Sequence, residues 1–380
     1  MPRAFLVEMK IINASVFTEN HIFEKRDICI DGERIVTKSS PGDEVLDAEG
    51  LYAVPAFVDV HLHGAKGADF CDGTEESIKK ITAYEASRGV LALCPATVMM
   101  EKSRTKEVLS MLSSYRCERG ARIIGINLEG PFINPLRSGA LAPDLAVPFS
   151  RELYEEFQTA ARGMIRLLDL APECMDDMED IKKYAGEVNI SVAHTNCDYE
   201  TAAKAFALGA NHLTHCFNAM AGIGHRAPGP ILAAADAGAY AEIIADGIHL
   251  HPAVVRLAYK LFGEDKVVLV SDSMMAAGMP DGAYELGEQE VTVRGGKAVL
   301  SKDENVIAGS VSDLYSCFKK AVEMGVPLEA AVRSASENPA KSIGAEKDYG
   351  TLAPGSYANI LLLDKKLNIQ AIINRGLMMG

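Results

Sequence analysis

The segment VPAFVDVHLHG, from Val54 to Gly64, decides the fold that this sequence predicts. It begins as a largely apolar run, which is typical of a strand buried on both faces of a parallel sheet. It ends in His61 and His63, and a glycine follows at once. Side chains two residues apart on an extended strand point the same way, so both imidazoles are expected to project together from the end of a buried strand.

Seven further runs of this kind follow, and amphipathic segments with the start and stop signals of helices lie between them. The first helix is predicted to begin at Thr74, with Glu75 and Glu76 in its first turn, and to stop at Arg88 and Gly89. Eight strand–helix units predict an α/β fold of the (β/α)8, or TIM, barrel type. The eight runs are AFVDVHLH, GVLALCPATV, RIIGINLEG, MIRLLDLAPE, NISVAHTN, NHLTHCFN, AEIIADGIH and KVVLVSDS.

The two ends of the chain follow a different pattern. Short β-like pieces broken by turns fill residues 1–53, including the hairpin signal IDGERI, and the segment YANILLLDKKLNIQAIINRG has the same character. We therefore predict a small β-sandwich domain built from residues 1–53 and 350–380, and a catalytic barrel over residues 54–349. A hairpin turning at Gly295 and Gly296 is predicted to interrupt the barrel before its last helix.

The charge balance limits the partners. The chain has 38 basic and 52 acidic residues, a formal net charge of −14, which disfavours nucleic acid and anionic membrane. No run approaches the ~20 apolar residues of a membrane span, and the first residues do not resemble a signal peptide. None of the eight cysteines has CxxC spacing, and they lie in apolar runs. We expect reduced, packed thiols in a cytoplasmic protein.

Active sites of such barrels lie at the carboxyl ends of the strands, so the polar residues there form the candidate site. Taken singly, each has an ordinary explanation as a hydrogen-bonded core histidine or as the cap of a turn or helix. Together they would be costly to bury without a cation, and imidazole with carboxylate suits zinc, iron or manganese. These residues are His61, His63, Glu129, His194, His215 and Asp272. His212, three residues before His215, is expected to point away, toward the helix layer.

A divalent metal with an open position lowers the pKa of bound water to roughly 7–9, which suits hydrolysis of amides, cyclic amides or exocyclic amines. Such hydrolysis needs a carboxylate that takes the water's proton and passes it to the leaving nitrogen. Asp272 is the candidate, because it ends a strand without being needed as a primary ligand.

DVHLHG together with His194, His215 and Asp272 resembles the amidohydrolase superfamily, and so does the tail SENPAKSIGAEKDYGTLAPGSYANILLLD. Many members of that superfamily carry a carbamylated lysine on a middle strand, where INLEGPFIN has Glu129 instead. This feature, with HCFNAM and HRAPG, resembles the family of N-acetylglucosamine-6-phosphate deacetylases. The resemblance covers essentially the whole chain.

The resemblance implies metal-dependent removal of acetate from an amino-sugar phosphate by a homodimer or homotetramer. It assigns Glu129, His194 and His215 to the main metal site and His61 and His63 to a second one. One or two divalent ions are therefore expected, zinc first, with iron, manganese or cobalt as alternatives. Asp272 matches the general base and acid, and Arg226 is the expected phosphate partner. Substrate contacts are expected from Ala140, Leu141, Asn218, Ala219, Arg226, His249, Ile307, Ala308 and Gly309.

At one position the sequence differs from its relatives, and this difference leaves the identity of the substrate less defined than the class of reaction. Relatives usually carry histidine or glutamine at the position of Leu141, where it can meet the acetyl carbonyl, and leucine cannot donate a hydrogen bond. The alternatives are a galacto-isomer deacetylase, a cyclic amidase or deaminase, and a non-catalytic sugar-phosphate binder. Glu129 argues against the cyclic amidases, and Asp272 against a mere binder.

Overall fold

The computed structural model describes residues 8–38, 44–117 and 119–379, so residues 1–7, 39–43 and 380 of the predicted small domain lie outside the described residues. The predicted IDGERI hairpin is confirmed, because two antiparallel strands place Asp31 opposite Arg34. The first strands are β1 (Met9–Ile12), β2 (Ser15–Phe17), β3 (Phe23–Lys25), β4 (Ile28–Asp31), β5 (Arg34–Val36), β6 (Glu44–Asp47) and β7 (Tyr52–Pro55).

Strands and helices then alternate as the apolar runs predict, and each of the eight runs holds a strand. The elements are β8 (Phe57–Leu62), β9 (Gly64–Ala65), β10 (Ala68–Asp69), α1 (Glu75–Ser87), β11 (Val90–Pro95), α2 (Lys102–Ser114), β12 (Arg122–Ile123), β13 (Ile126–Glu129), α3 (Arg151–Ala160), β14 (Ile165–Leu170), α4 (Glu179–Tyr184), β15 (Asn189–Val192), α5 (Tyr199–Ala207), β16 (His212–Leu213), α6 (Gly229–Ala237), β17 (Tyr240–Ile243), α7 (Pro252–Phe262) and β18 (Val267–Leu269). Short 3-10 turns span Phe70–Asp72, Pro135–Arg137, Pro143–Leu145 and Pro172–Cys174. Helix α1 begins as predicted, because the Thr74 hydroxyl accepts a hydrogen bond from the Ser77 amide at 3.1 Å.

The central strands are parallel, and they form two hydrogen-bonded sheets whose edges meet on both sides. One sheet has the order β13-β14-β15-β16-β17-β18 and the other β12-β11-β8. A parallel bridge joins Ala96 to Asn127 at one junction. At the other, the Asp272 amide donates to the His61 carbonyl oxygen at 2.9 Å. The predicted α/β architecture with buried parallel strands is confirmed.

An antiparallel sheet follows the last parallel strand, and it contains the hairpin predicted at Gly295 and Gly296, where Arg294 pairs with Lys297. Its strands are β19 (Gly282–Leu286), β20 (Gln289–Arg294), β21 (Lys297–Leu300) and β22 (Asp303–Ile307). The chain continues through α8 (Leu314–Glu323), α9 (Leu328–Ala335), α10 (Glu337–Ser342), β23 (Ile360–Leu363), β24 (Ile369–Asn374) and β25 (Leu377–Met379).

Both ends of the chain meet in two further sheets, with the orders β25-β24-β23-β7-β2-β3 and β5-β4-β1-β6. A separate apolar core connects them, and it includes Ile11 and Ile30 from one sheet and Ile360 and Ile373 from the other. The predicted boundary between residues 53 and 54 lies inside β7, whose whole length pairs with β23.

All eight cysteines are free thiols, and most of them are buried, as their apolar neighbours predict. Among the described helices, none is both long and apolar enough to cross a membrane.

The turn between β24 and β25 brings the two chain ends into contact. It has two residues, Arg375 and Gly376, with φ angles of 49° and 75°, and this left-handed geometry favours glycine. A Cβ atom on Gly376 would overlap the carbonyl oxygen of Gly32, in the turn between β4 and β5. The C-terminal hairpin therefore seats directly on the N-terminal one.

We expect Gly376→Ala to lower the free energy of unfolding by about 1–3 kcal/mol more than Gly296→Ala does. Gly296 also lies in a hairpin turn with positive φ, at 79°, but an added Cβ meets nothing within 4 Å there. Both variants carry the backbone penalty, and only Gly376→Ala carries the overlap. Urea unfolding of the two variants measures the difference; equal losses would contradict the close contact between the hairpins.

Candidate active site

The six polar residues predicted at the strand ends meet at one rim of the parallel strands. Their ligand atoms form two groups, in each of which the atoms lie within 4.8 Å of one another. One group is His61, His63 and Glu129, and the other is Glu129, His194 and His215. All five side chains are buried, and Glu129 belongs to both groups.

Glu129 lies at the centre of this cluster, at the end of β13. Its Oε1 atom lies 2.9 Å from His194 Nε2 and 3.3 Å from His215 Nε2. Its Oε2 atom lies 3.2 Å from His63 Nε2. Burial alone would raise the pKa of Glu129, but His61 and the other histidines around it hold that pKa well below its ordinary value. The group is therefore an ionised carboxylate surrounded by imidazoles.

The backbone turns sharply just after three of the strands to aim these side chains. His194, His215 and Asp272 have φ angles of 43°, 28° and 46°, in the left-handed region. For a residue other than glycine this conformation costs roughly 1–2 kcal/mol, and such strain clusters at functional sites. Hydrogen bonds on both sides hold Asp272 there, since its amide donates to the His61 carbonyl at 2.9 Å and its carbonyl accepts from Ser310 at 2.7 Å.

The donor set fits a divalent cation better than it fits an internal hydrogen-bond network. His194 Nε2 and His215 Nε2 lie only 3.0 Å apart while both face Glu129. His61 Nε2 is buried without a hydrogen-bond partner, 3.5 Å from Glu129 Oε1. Lone pairs that converge on one small space, with a carboxylate among them, are the arrangement that zinc and similar ions accept. These residues could hold one or two cations.

Asp272 lies beside both groups without belonging to either. Its Oδ1 atom is 3.3 Å from His63 Nε2 and 3.8 Å from His61 Nε2. Burial would raise the pKa of Asp272, but the hydrogen bond to His63 and the neighbouring histidine charges lower it overall. An ionised carboxylate at the edge of a cation site can accept a proton.

A third carboxylate, which lies behind the site, was missed from the sequence. Glu242 lies in the middle of β17, fully buried, and its Oε2 atom is 2.9 Å from His61 Nδ1 and accepts from the His215 amide at 3.0 Å. Its Oε1 atom is 3.1 Å from His212 Nε2. The expectation that His212 points to the helix layer is therefore wrong. Strand β16 ends at Leu213 and the chain turns at His215, so the two-residue alternation does not reach that far.

A cavity of about 440 Å³ opens above the two groups and contains most of the predicted substrate contacts. Ala308 is fully buried outside the cavity lining, and Arg226 is exposed outside it. Sequence reasoning missed Arg137, Leu286 and Asn305, which also line the cavity. The predicted residues that do line it are Ala140, Leu141, Asn218, Ala219, His249, Ile307 and Gly309.

Two basic side chains in the lining are held in place by neighbours. The His249 Nδ1 atom lies 2.8 Å from Asp246 Oδ2; burial would lower the pKa of His249, but this carboxylate raises it overall. The Arg137 guanidinium donates to the Asn196 side-chain oxygen at 2.9 and 2.6 Å. The backbone carbonyl oxygen of Arg137 lies 2.8 Å from His194 Nδ1. The cavity above the candidate cation site is thus lined by two basic side chains, His249 and Arg137, that can bind an anion.

Comparison with known proteins agrees with this geometry. The chain is 32% identical over 387 residues to an N-acetylglucosamine-6-phosphate deacetylase of Bacillus subtilis (strain 168), with 96% of each chain covered. It is 34% identical over 336 residues to an N-acetylgalactosamine-6-phosphate deacetylase of Escherichia coli O157:H7, with 87% of this chain and 88% of that relative covered.

A solved structure has the same fold. It is a mutant N-acetyl-D-glucosamine-6-phosphate deacetylase from Mycobacterium smegmatis in complex with N-acetyl-D-glucosamine-6-phosphate, at a TM-score of 0.90 and 31% identity, covering 98% of this chain and 99% of that one. The sequence model of the Amidohydrolase family matches residues 52–377. Since that match covers most of the chain, the protein belongs to the amidohydrolase family.

Proposed function

We propose that the chain hydrolyses the N-acetyl group of N-acetylglucosamine 6-phosphate to glucosamine 6-phosphate and acetate. The observation that carries this proposal is Asp272, an ionised carboxylate beside two cation-binding groups at the floor of an open cavity. The relatives named above are deacetylases of amino-sugar phosphates, which supports the same reaction here.

Glu129, His194 and His215 would hold the first cation, and His61, His63 and Glu129 the second. A bound divalent cation polarises a carbonyl oxygen and makes water more acidic. We expect zinc, with iron, manganese or cobalt as alternatives, because the donors are imidazole nitrogens and a carboxylate.

Asp272 would carry the proton. Water adds its oxygen to the acetyl carbon while Asp272 takes a proton from it. The bond between that carbon and the sugar nitrogen then breaks, and Asp272 returns the proton to the nitrogen, which leaves as the amine. Acetate keeps the water's oxygen. The low pKa of Asp272 keeps the carboxylate ionised before the reaction, as a base must be.

We expect the phosphate to bind near His249, which lines the cavity together with Asn218 and Ala219. His249 with its raised pKa suits a phosphate, and Arg137 adds a second cation in the same lining. Arg226, which is exposed outside the lining, stays a prediction as the phosphate partner.

The acetyl end of the cavity is apolar at Leu141, which is 7% exposed and lines the wall next to Ala140. Leucine donates no hydrogen bond, so the acetyl carbonyl must be polarised from the cation side of the cavity. The galacto isomer is a second candidate substrate, because the more identical of the two relatives described above acts on N-acetylgalactosamine 6-phosphate.

The proposal also includes the closure of the barrel and the arrangement of the terminal sheets. The parallel strands of the eight runs, with β12 and β13 from a single run, would close into a (β/α)8 barrel over residues 54–349. The two terminal sheets would form a β-sandwich domain from residues 1–53 and 350–380. We also expect a cytoplasmic homodimer or homotetramer.

Acetate release from N-acetylglucosamine 6-phosphate tests the reaction. We expect turnover that is lost after dialysis against a chelator and restored by zinc, because the polarising cation is required. N-acetylgalactosamine 6-phosphate, assayed in parallel, decides between the two sugars. Undiminished turnover in chelated protein shown by elemental analysis to be free of metal would contradict the proposal.

Asp272→Asn should lower kcat by about 10²–10⁴-fold, because asparagine cannot accept the proton. The side chains have nearly the same size, so metal content and thermal unfolding should stay close to those of the parent protein. Elemental analysis and calorimetry of the variant provide the control. Retained turnover would exclude Asp272 as the base.

In Asp246→Asn, the loss of affinity for the phosphorylated substrate that accompanies rising pH should begin at a lower pH than in the parent protein. The charge of His249 is present below its pKa and is lost as the pH rises through it, and Asp246 is what raises that pKa. KM for the phosphorylated sugar, measured from about pH 6 to pH 9, should therefore begin to rise earlier in the variant. Unphosphorylated N-acetylglucosamine is the control, since its KM should follow the same pH curve in both proteins. Coincident curves for the phosphorylated sugar would contradict the role of His249.

A further inference from the structure

A chain of hydrogen bonds runs from helix α10 to the site through the space between the parallel strands. The Asn189 side-chain nitrogen donates to the Ser342 carbonyl oxygen at 2.6 Å and lies 3.4 Å from His212 Nδ1. His212 Nε2 lies 3.1 Å from Glu242 Oε1. Glu242 Oε2 lies 2.9 Å from His61 Nδ1. These contacts join the opposite end of the strands to the site.

The donor and acceptor roles along this chain can be assigned from its fixed end. Asn189 must present its NH2 group to the Ser342 carbonyl, so it donates to His212 Nδ1 as well. His212 then carries its proton on Nε2 and donates to Glu242. Glu242 Oε1 faces the Nε2 proton of His212, and its Oε2 atom accepts from the His215 amide at 3.0 Å, so both carboxylate oxygens act as acceptors.

Each oxygen of Glu242 therefore accepts from a donor. His61 Nδ1 lies 2.9 Å from Glu242 Oε2 and 3.4 Å from the Asn127 side-chain nitrogen, and the closer contact assigns its proton to Nδ1. When that is its single ring proton, Nε2 presents a lone pair toward Glu129, 3.5 Å away. Glu242 Oε2 also accepts from the amide of His215, whose φ of 28° aims that ring at Glu129. One carboxylate thus touches a residue of each cation-binding group. Within the described part of the chain, no lysine or arginine forms an ion pair with it.

We propose that Glu242 is a positioning residue for both cation-binding groups, fixing the tautomer of His61 and the backbone turn at His215. This inference rests on the proposed function, because it assumes that those groups hold cations. Carboxylates that orient metal-binding histidines typically change cation affinity by about 10–100-fold when they are replaced.

Glu242→Gln tests the proposal with almost no change in size. Both carboxylate oxygens face donors, so the new amide nitrogen opposes a donor in either orientation. We expect zinc affinity, measured by competition with a chromophoric chelator, to fall about 10–100-fold in folded variant protein. Asp169→Asn is the matched control, because Asp169 is also fully buried and accepts from Thr214 Oγ1 at 2.9 Å. Its zinc affinity should stay within about threefold of the parent.

Parent-like zinc affinity in Glu242→Gln, or an equal loss in Asp169→Asn, would overturn the proposal. A purely structural role would lower thermal stability and leave zinc affinity of the folded protein unchanged. If the variant fails to fold, a measurement on the parent protein still tests the proposal. In 15N-histidine NMR of the zinc-loaded chain, His61 should be protonated at Nδ1 and His212 at Nε2, and the opposite tautomer at His61 would overturn it.

The positioning role of Glu242 and the proposed deacetylase activity can fail independently of each other. Protein that binds zinc through Glu242-dependent groups but releases no acetate would contradict the deacetylase activity and support the positioning role. Acetate release together with parent-like zinc affinity in Glu242→Gln would support the activity and contradict the positioning role.

Discussion

The site depends on one buried negative charge, that of Glu129, being balanced by imidazoles from three other strand ends. An isolated carboxylate at this depth would cost several kcal/mol, and a histidine alone does not repay that. Parallel strands solve the problem geometrically, because their carboxyl ends meet at one rim even when the residues are far apart in the chain. His61 and His215 are separated by 154 positions, yet their ring centroids lie 5.4 Å apart.

Much of this arrangement is written in local patterns. The apolar runs predict the strands, and the polar residues near the ends of five of these runs predict the rim, because both signals lie within a few neighbouring residues. His212 shows where the reasoning fails. Alternation along a strand holds only while the strand continues, and a left-handed turn at His215 that sterics disfavour could not be read from NHLTHCFN.

Glu242 and the cavity wall were harder to predict for a different reason. The acid in AEIIADGIH has no partner within its own segment, and its contact with His61 spans 181 residues. Leu286 and Asn305 reach the cavity from the inserted antiparallel sheet, whose position depends on packing rather than on spacing. Arg137 reads as an ordinary loop arginine until its carbonyl is seen beside His194 Nδ1. The substrate-contacting segments themselves were expected only from family resemblance.

The polarity of the space between the strands explains how so many histidines can be buried there. At the end near α10 it is filled by apolar side chains such as Val58 and Val268, packed against Ala340 and Ile343. Toward the rim this space becomes polar. There Glu242 accepts hydrogen bonds from the side chains of His61 and His212 and from the backbone amide of His215. A polar group buried directly above an apolar floor would lack partners and would lose stability for that reason. The polar layer is therefore a structural requirement for placing aligned imidazole nitrogens at the rim.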